Sequence, residues 1–429
     1  MSQFTRRKFL KIGGAAASSF VVSSPFAIGG ARKKVVIVGG GIGGASAAKY
    51  LRMMDTSIDV TLIEGNKGYY TCFMSNEVLS GQRSMDSIYF DYAGLKRYGV
   101  TVVDDWVTGI DAGKRMVKIR SGQHFSYDRC IVSPGVDFRW SSIEGYSAEI
   151  AQKIPHAWKA GSQTLFLRKQ LEAMKDGGTV LIAPPPNPYR CPPAPYERVS
   201  QIAHYLKTHK PRSKIIILDP KDSFSMQDLF IDGWKRHYGY GSNHSMIDWI
   251  SGAEGGEIES IDIENMSVQA LVESFKADVI NIIPAQKAGK VAFLAGLTDD
   301  RGWCPVDGRT FESAMHRDIH VIGDSCTAPP LPKAGYLTTT EAKVCASAIV
   351  ALFNEGRQPR PSWINSCYSI IAPGDAVSAV MIYTYKNARI MKVPGAGGLT
   401  PREFDAGMRA REEQYAYSWF RNITADVFG

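Results

Sequence analysis

Seven cysteines, at positions 72, 130, 191, 304, 326, 345 and 367, carry most of this chain's capacity for nucleophilic and redox chemistry. Cys191 has the least ordinary setting, among prolines in Ala183-Pro-Pro-Pro-Asn-Pro-Tyr-Arg-Cys191-Pro-Pro-Ala-Pro195. A thiol placed there can exchange with another sulfur and pass two electrons through a disulfide. A second group of residues suits a nucleotide. Gly39-Gly-Gly-Ile-Gly-Gly44 follows the apolar run Lys34-Val-Val-Ile-Val38 and leads into Ala45-Ser-Ala-Ala-Lys-Tyr-Leu-Arg52. Val60-Thr-Leu-Ile-Glu64 then ends in an acid. The spacing predicts a βαβ unit. Gly39, Gly41 and Gly44 allow the tight turn and close pyrophosphate approach, the helix N-terminus meets the phosphate charge, and Glu64 meets a ribose hydroxyl.

The elements that must position Cys191 repeat that layout. Thr179–Ala183 and Lys214–Asp219 read as strands, and Pro195–Lys207 as a helix with Val199, Ile202, Ala203 and Leu206 on one face. The glycine fingerprint is missing. Prolines and Asn187 fill the turn and remove N–H groups that a pyrophosphate needs. This is a duplicated architecture without its nucleotide, which argues against NAD(P). Downstream, Ile319-His-Val-Ile-Gly323-Asp324 is a strand entering Gly-Asp, the usual second contact to FAD, with the Asp on the ribityl chain. Lys333, Gly335 and the helix Thr338–Leu352 follow. The helix start would face the flavin pyrimidine and favour its reduced, anionic form. Ile131-Val-Ser-Pro-Gly135 fits the crossing between the two nucleotide-type domains.

The N-terminus reads Thr5-Arg6-Arg7-Lys8-Phe9-Leu10-Lys11 and continues as an Ala/Gly/Ser/Val-rich stretch. That is a twin-arginine signal covering residues 1–31, which places the mature chain in the periplasm. A mature chain of roughly 400 residues holds two or three domains. The formal charge of +8 owes half its excess to Arg6, Arg7, Lys8 and Lys11, so nothing argues for nucleic acid. No later run approaches the ~20 apolar residues of a membrane span. The Cys and His spacings suit no metal, and no Cys-x-x-Cys-His is present for a haem on this chain.

Several motifs resemble the flavoprotein subunit of flavocytochrome c sulfide dehydrogenase. They are the leader, Tyr69-Tyr-Thr-Cys72-Phe-Met-Ser-Asn-Glu77, Pro155-His-Ala-Trp-Lys-Ala-Gly161, Tyr189-Arg-Cys191-Pro-Pro-Ala-Pro-Tyr-Glu197-Arg, Gly302-Trp-Cys-Pro-Val306, Cys367-Tyr-Ser-Ile-Ile-Ala-Pro373 and Tyr415-Ala-Tyr-Ser-Trp419-Phe420. The resemblance implies FAD bound covalently through its 8α-methyl to Cys72. It implies a redox disulfide Cys191–Cys367 over the flavin and proton transfer assisted by Glu197. It also implies a c-type cytochrome subunit in a heterodimer, carrying the only haem, and oxidation of sulfide to sulfur or polysulfide. Cys326 and Cys345 depart from it.

Each site has a plainer alternative. Cys72 as a buried small side chain, Cys191–Cys367 as a structural bridge and Glu197 as a first-turn acid are three of these. Lys159 and Lys333 either offset charge on reduced flavin or are solvated, and the Trp419 cluster is either domain core or lies between flavin and haem. Cys130, Cys304, Cys326 and Cys345 read as buried thiols or a structural pair. The fold expected is α/β: two Rossmann-like domains of the disulfide-reductase type and a smaller C-terminal α+β domain. The boundaries expected are 32–145 with 286–355 for FAD, 146–285 for the second unit and 356–429 for the C-terminal domain. Alternative functions are a sulfide:quinone oxidoreductase, or an exported sulfur-carrier or maturation flavoprotein.

Overall fold

A computed structural model describes residues 32–429; the expected twin-arginine leader lies outside the described residues. Two parallel sheets organise the chain. The first runs in the order Ile319–Val321, Arg129–Val132, Lys34–Val38, Asp59–Glu64, Thr101–Asp104. Val35, Val36, Ile37 and Val38 are all buried, as a central parallel strand covered on both faces requires. The helices Ile42–Met54 and Gly335–Phe353 pack against each other over this sheet. Both begin earlier than their apolar periodicity suggests, because Ile42-Gly43-Gly44 and Gly335-Tyr336-Leu337 are already helical.

The second sheet is ordered Ile247–Ile250, Lys214–Leu218, Thr179–Ala183, Val279–Ile282, again parallel. The helix Ala194–His209 buries Tyr196, Val199, Ile202, Ala203 and Leu206 beside it. Asp219 ends no strand. It is fully buried just past Leu218, where Tyr196, Lys221 and Trp249 all donate to its carboxylate.

The tail is a three-stranded antiparallel sheet, Ser362–Ala372, Asp375–Lys386 and Arg389–Leu399, followed by the helix Ala406–Phe428. Asp405 caps that helix by accepting the N–H of Met408 at 2.8 Å. The strand Ser362–Ala372 packs on the helix Ala194–His209, which carries Cys367 toward the Cys191 loop. The fold is therefore two Rossmann-like units plus an α+β C-terminal piece, of the disulfide-reductase type.

Candidate functional site

A cavity of about 1030 Å³ runs between these elements. Its size is at the upper end for ligand pockets and suits a dinucleotide. Among the residues named from sequence, Gly39, Gly41, Glu64, Cys72, Gly135, Cys191, Glu197, Gly323, Asp324, Lys333, Gly335 and Cys367 all line it, and Gly44 does not.

At the phosphate end, Gly39 has φ +99°, and a Cβ there would stand 2.4 Å from the Ser133 carbonyl oxygen. The helix Ile42–Met54 opens directly after Gly41, with no acid in its first turn to oppose an anion. Gly44 acts from behind the lining: a Cβ there would fall 1.8 Å from the Gly39 carbonyl oxygen, so it sets how closely helix and loop pack. The Glu64 carboxylate receives the Gly40 N–H at 2.8 Å and the Asn66 N–H at 2.9 Å. These two backbone N–H groups and the Asn66 side-chain amide, at 2.6 Å, hold it at the cavity wall, with a lone pair left for a hydroxyl. Trp106 lies over Gly65, where a Cβ would meet its ring at 2.2 Å, and with Arg120 it extends the wall beyond Glu64.

At the middle of the cavity, Gly323 has φ +75° and turns the chain so that Asp324 faces inward. Arg190 stands 3.8 Å from the Asp324 carboxylate and donates to the Trp158 carbonyl. The Lys333 ammonium is turned to the protein: it donates to the carbonyls of Asp324 at 2.8 Å and Cys326 at 2.7 Å and sits over the Trp303 ring. Burial lowers its affinity for a proton, with Cys326 and Asp324 opposing that shift. Lys159 is half exposed and pairs with Asp137 at 3.5 Å. At Gly335 a Cβ would meet Phe73 at 2.1 Å, so glycine is needed for the helix start to reach the cavity.

At the far end the sulfur-bearing residues gather. Cys72 lies 3.9 Å from the Tyr69 hydroxyl. Cys191 takes a positive φ of 54° just before the helix Ala194–His209, and its N–H donates to the Lys333 carbonyl at 2.7 Å. Cys367 comes from the edge of the C-terminal sheet, 3.5 Å from Asn365 Oδ1. The sulfurs of Cys191 and Cys367 are unbonded thiols in this structure. Burial, and then the charge of Cys367, hold the Cys191 thiol well above the usual range. Burial pushes Cys367 up to about 11. Glu197 faces the same space. Its carboxyl is pushed up to about 7, chiefly by burial.

Three buried polar residues in or behind the cavity wall were not singled out from the sequence. Asn76 donates to Glu197 at 2.8 Å. Arg198 is buried and donates to the carbonyls of His156 and Ala157 and to Asn281, fixing the helix behind Cys191. Glu341 is buried on the helix Gly335–Phe353 and accepts the Gly323 N–H at 2.7 Å. A lone acid among the apolar residues of that helix was the available signal. The aromatic tail also reaches the cavity: Trp419 lines it and meets Phe73 edge-on at 5.2 Å. A smaller pocket outside shares Trp419, Tyr336 and Tyr368 with it.

The residues fit FAD: a glycine cradle, a ribose acid and an inward Asp324 line one continuous cavity. Residues 33–170 match the pyridine nucleotide-disulphide oxidoreductase family. Residues 164–284 match the family described as sulfide dehydrogenase (flavocytochrome c) flavoprotein chain, central, and residues 359–428 match flavocytochrome c sulphide dehydrogenase, flavin-binding. The sulfide dehydrogenase flavoprotein chain of Chlorobaculum thiosulfatiphilum is 61% identical over 36 residues, 8% of this chain and 75% of that one. The mitochondrial sulfide:quinone oxidoreductases of Dictyostelium discoideum and Schizosaccharomyces pombe are 23% and 21% identical over 69% and 65% of this chain. The matches span 66% and 62% of those relatives' lengths, just under two thirds. Among solved structures, the sulfide:quinone oxidoreductase of Aquifex aeolicus superposes with a TM-score of 0.67 at 18% identity over 92% of both chains. A NAD-dependent persulfide reductase from A. fulgidus gives 0.60 at 15% over 90% of this chain and 77% of that one. At such identities the likeness speaks for the fold. The two matches that carry the dehydrogenase's name cover the segments bearing Cys191 and Cys367, and the chain belongs to the flavoprotein-chain family of flavocytochrome c sulfide dehydrogenase.

Proposed function

We propose that this protein oxidises sulfide in the periplasm and hands the electrons singly to a c-type cytochrome subunit. One observation carries the reading: Cys191 and Cys367, far apart in sequence, line one cavity wall with Glu197 and Cys72.

With Cys191 and Cys367 joined as a disulfide, hydrosulfide attacks one sulfur. A new S–S bond makes a persulfide there, the old bond breaks, and the other sulfur leaves as a thiolate. That thiolate and the persulfide can then join through the added sulfur as a trisulfide, releasing one proton and two electrons to an acceptor against the wall. FAD bound in the cavity supplies that two-electron acceptor and one-electron donor. Glu197, titrating near 7, is placed to take the proton of the incoming sulfide. Cys72 would hold the cofactor by a thioether, since no cytoplasmic flavin pool reaches the periplasm. Tyr336, Tyr368 and Trp419 separate the cavity from the outer pocket, the side on which we place the cytochrome.

The test is sulfide added to purified holoprotein, with and without cytochrome c, while the flavin spectrum is followed. Bleaching that cytochrome c reverses is expected, and Cys191→Ser or Cys367→Ser should abolish it. Normal turnover in those variants would refute the disulfide chemistry. The likeness to sulfide:quinone oxidoreductases favours a second reading, with quinone as acceptor. Among the described residues no helix is long and apolar enough to cross a membrane. Quinone reduction with membrane binding, and none of cytochrome c, would favour that reading. Absence of any sulfide-dependent reduction would point to a sulfur-carrier role.

A further inference from the structure

Four of the seven thiols stand outside the cavity lining: Cys130, Cys304, Cys326 and Cys345. Two of these face each other. Cys304–Pro305 and Cys326–Thr327 form a short parallel bridge in which Cys304 and Cys326 are direct register partners. Neighbouring strands lie about 4.8 Å apart, and paired residues project to the same face. A disulfide needs roughly 4.4–6.8 Å between Cα atoms. Cys304 is 0% and Cys326 6% exposed, so both are shielded from solvent, and the Cys326 thiol lies 4.0 Å from the Glu341 carboxylate, a weak contact that a bond to Cys304 would replace. Cys130, by contrast, is flanked in its sheet by Val36 and Ile319.

We propose that Cys304 and Cys326 form a second disulfide, a clasp behind the flavin site that is separate from Cys191–Cys367. Each thiol loses its hydrogen and the two sulfurs join. The two electrons and two protons pass to a disulfide oxidant such as oxidised glutathione, which leaves as two thiols.

The position gives the clasp a purpose. Cys326 follows Gly323-Asp324-Ser325, and its carbonyl accepts from the Lys333 ammonium at 2.7 Å. The Lys333 carbonyl in turn accepts the Cys191 N–H at 2.7 Å. Trp303, next to Cys304, lies 3.8 Å beneath the same ammonium. Joining Cys304 to Cys326 therefore fixes both sides of the platform on which the Cys191 loop rests, without taking electrons from the substrate.

The experiment uses wild-type holoprotein, reduced and then equilibrated over a series of oxidised-to-reduced glutathione ratios. Samples are acid-quenched, unfolded, alkylated and digested without reductant. The expected result is a cross-linked pair of peptides containing Cys304 and Cys326, lighter by two hydrogens than the separate thiol peptides. In Cys304→Ser that cross-link should vanish, Cys326 should become alkylated and the thermal midpoint should fall. Alkylation of both Cys304 and Cys326 at every ratio that oxidises Cys191 and Cys367 would overturn the proposal. So would a cross-link from either one to Cys130 or Cys345. The peptide map is read on wild-type protein and stands apart from sulfide turnover.

Discussion

Glu197 Oε1 accepts the backbone N–H of Ile370 at 3.0 Å. The bond ties the helix that follows Cys191 to the strand that carries Cys367. The other carboxyl oxygen accepts from Asn76, four residues past Cys72. One side chain therefore contacts all three cysteine-bearing segments of the cavity.

That carboxyl titrates near 7 because burial outweighs both hydrogen bonds. A base is useful above its pKa, so the sulfide-dependent rate should rise through pH 7. Glu197→Gln should lose that limb and lower kcat/KM by on the order of 10²-fold. Stopped-flow flavin reduction across the pH range checks this. Sulfide's own ionisation is common to both proteins and cancels in the ratio. An unchanged profile would return Glu197 to the role of a first-turn acid.

Cys72 should hold flavin through unfolding. Acid-precipitated wild-type protein is expected to keep its yellow colour in the pellet, and Cys72→Ser should release it to the supernatant. Flavin freed from denatured wild-type protein would exclude the thioether. Folding of the variant is checked independently by its circular dichroism.

The nucleotide end was legible because its constraints are local. Strand, glycine turn, helix and Glu64 follow one another within a single βαβ unit, and the strand Thr179–Ala183 lies where the apolar run places it. The sulfur end was legible only in part. Cysteine and proline at 191 are unusual enough to be noticed, but the partners that set the chemistry of Glu197 come from Asn76 and Ile370, distant in sequence and ordinary in type. Lys333 shows the same limit. Its position beside the cavity could be read, but not that its ammonium is spent on two backbone carbonyls. The tail was read as a small α+β domain with an aromatic end, which leaves open the length and order of its three antiparallel strands.

Gly44 should tolerate no side chain. A Cβ 1.8 Å from the Gly39 carbonyl must push the helix Ile42–Met54 off the loop. Gly44→Ala is expected to purify with little flavin and a lowered thermal midpoint. Gly109→Ala, where a Cβ meets nothing within 4 Å, serves as the control and should keep full flavin. Equal flavin content in the two variants would show that the loop yields and that the close packing is not needed.

Glu341 makes a prediction about stability rather than rate. Burial is the main cause that lifts its carboxyl from 4.5 to about 7, with the Asp324 charge adding and the Gly323 N–H and Lys333 opposing. The folded protein thus keeps this proton up to about pH 7, while the unfolded chain gives it up near 4.5. Stability from this group is fully present below pH 4.5, falls as pH rises toward 7 and is flat above. The difference amounts to about 3 kcal/mol. Glu341→Gln removes the titration and leaves an oxygen to accept the Gly323 N–H. Relative to wild type, the variant should therefore gain about 3 kcal/mol between pH 4.5 and pH 8, read from urea unfolding of the holoproteins. If the gap between the two proteins is the same at both pH values, Glu341 is ionised in the fold and the buried proton does not exist.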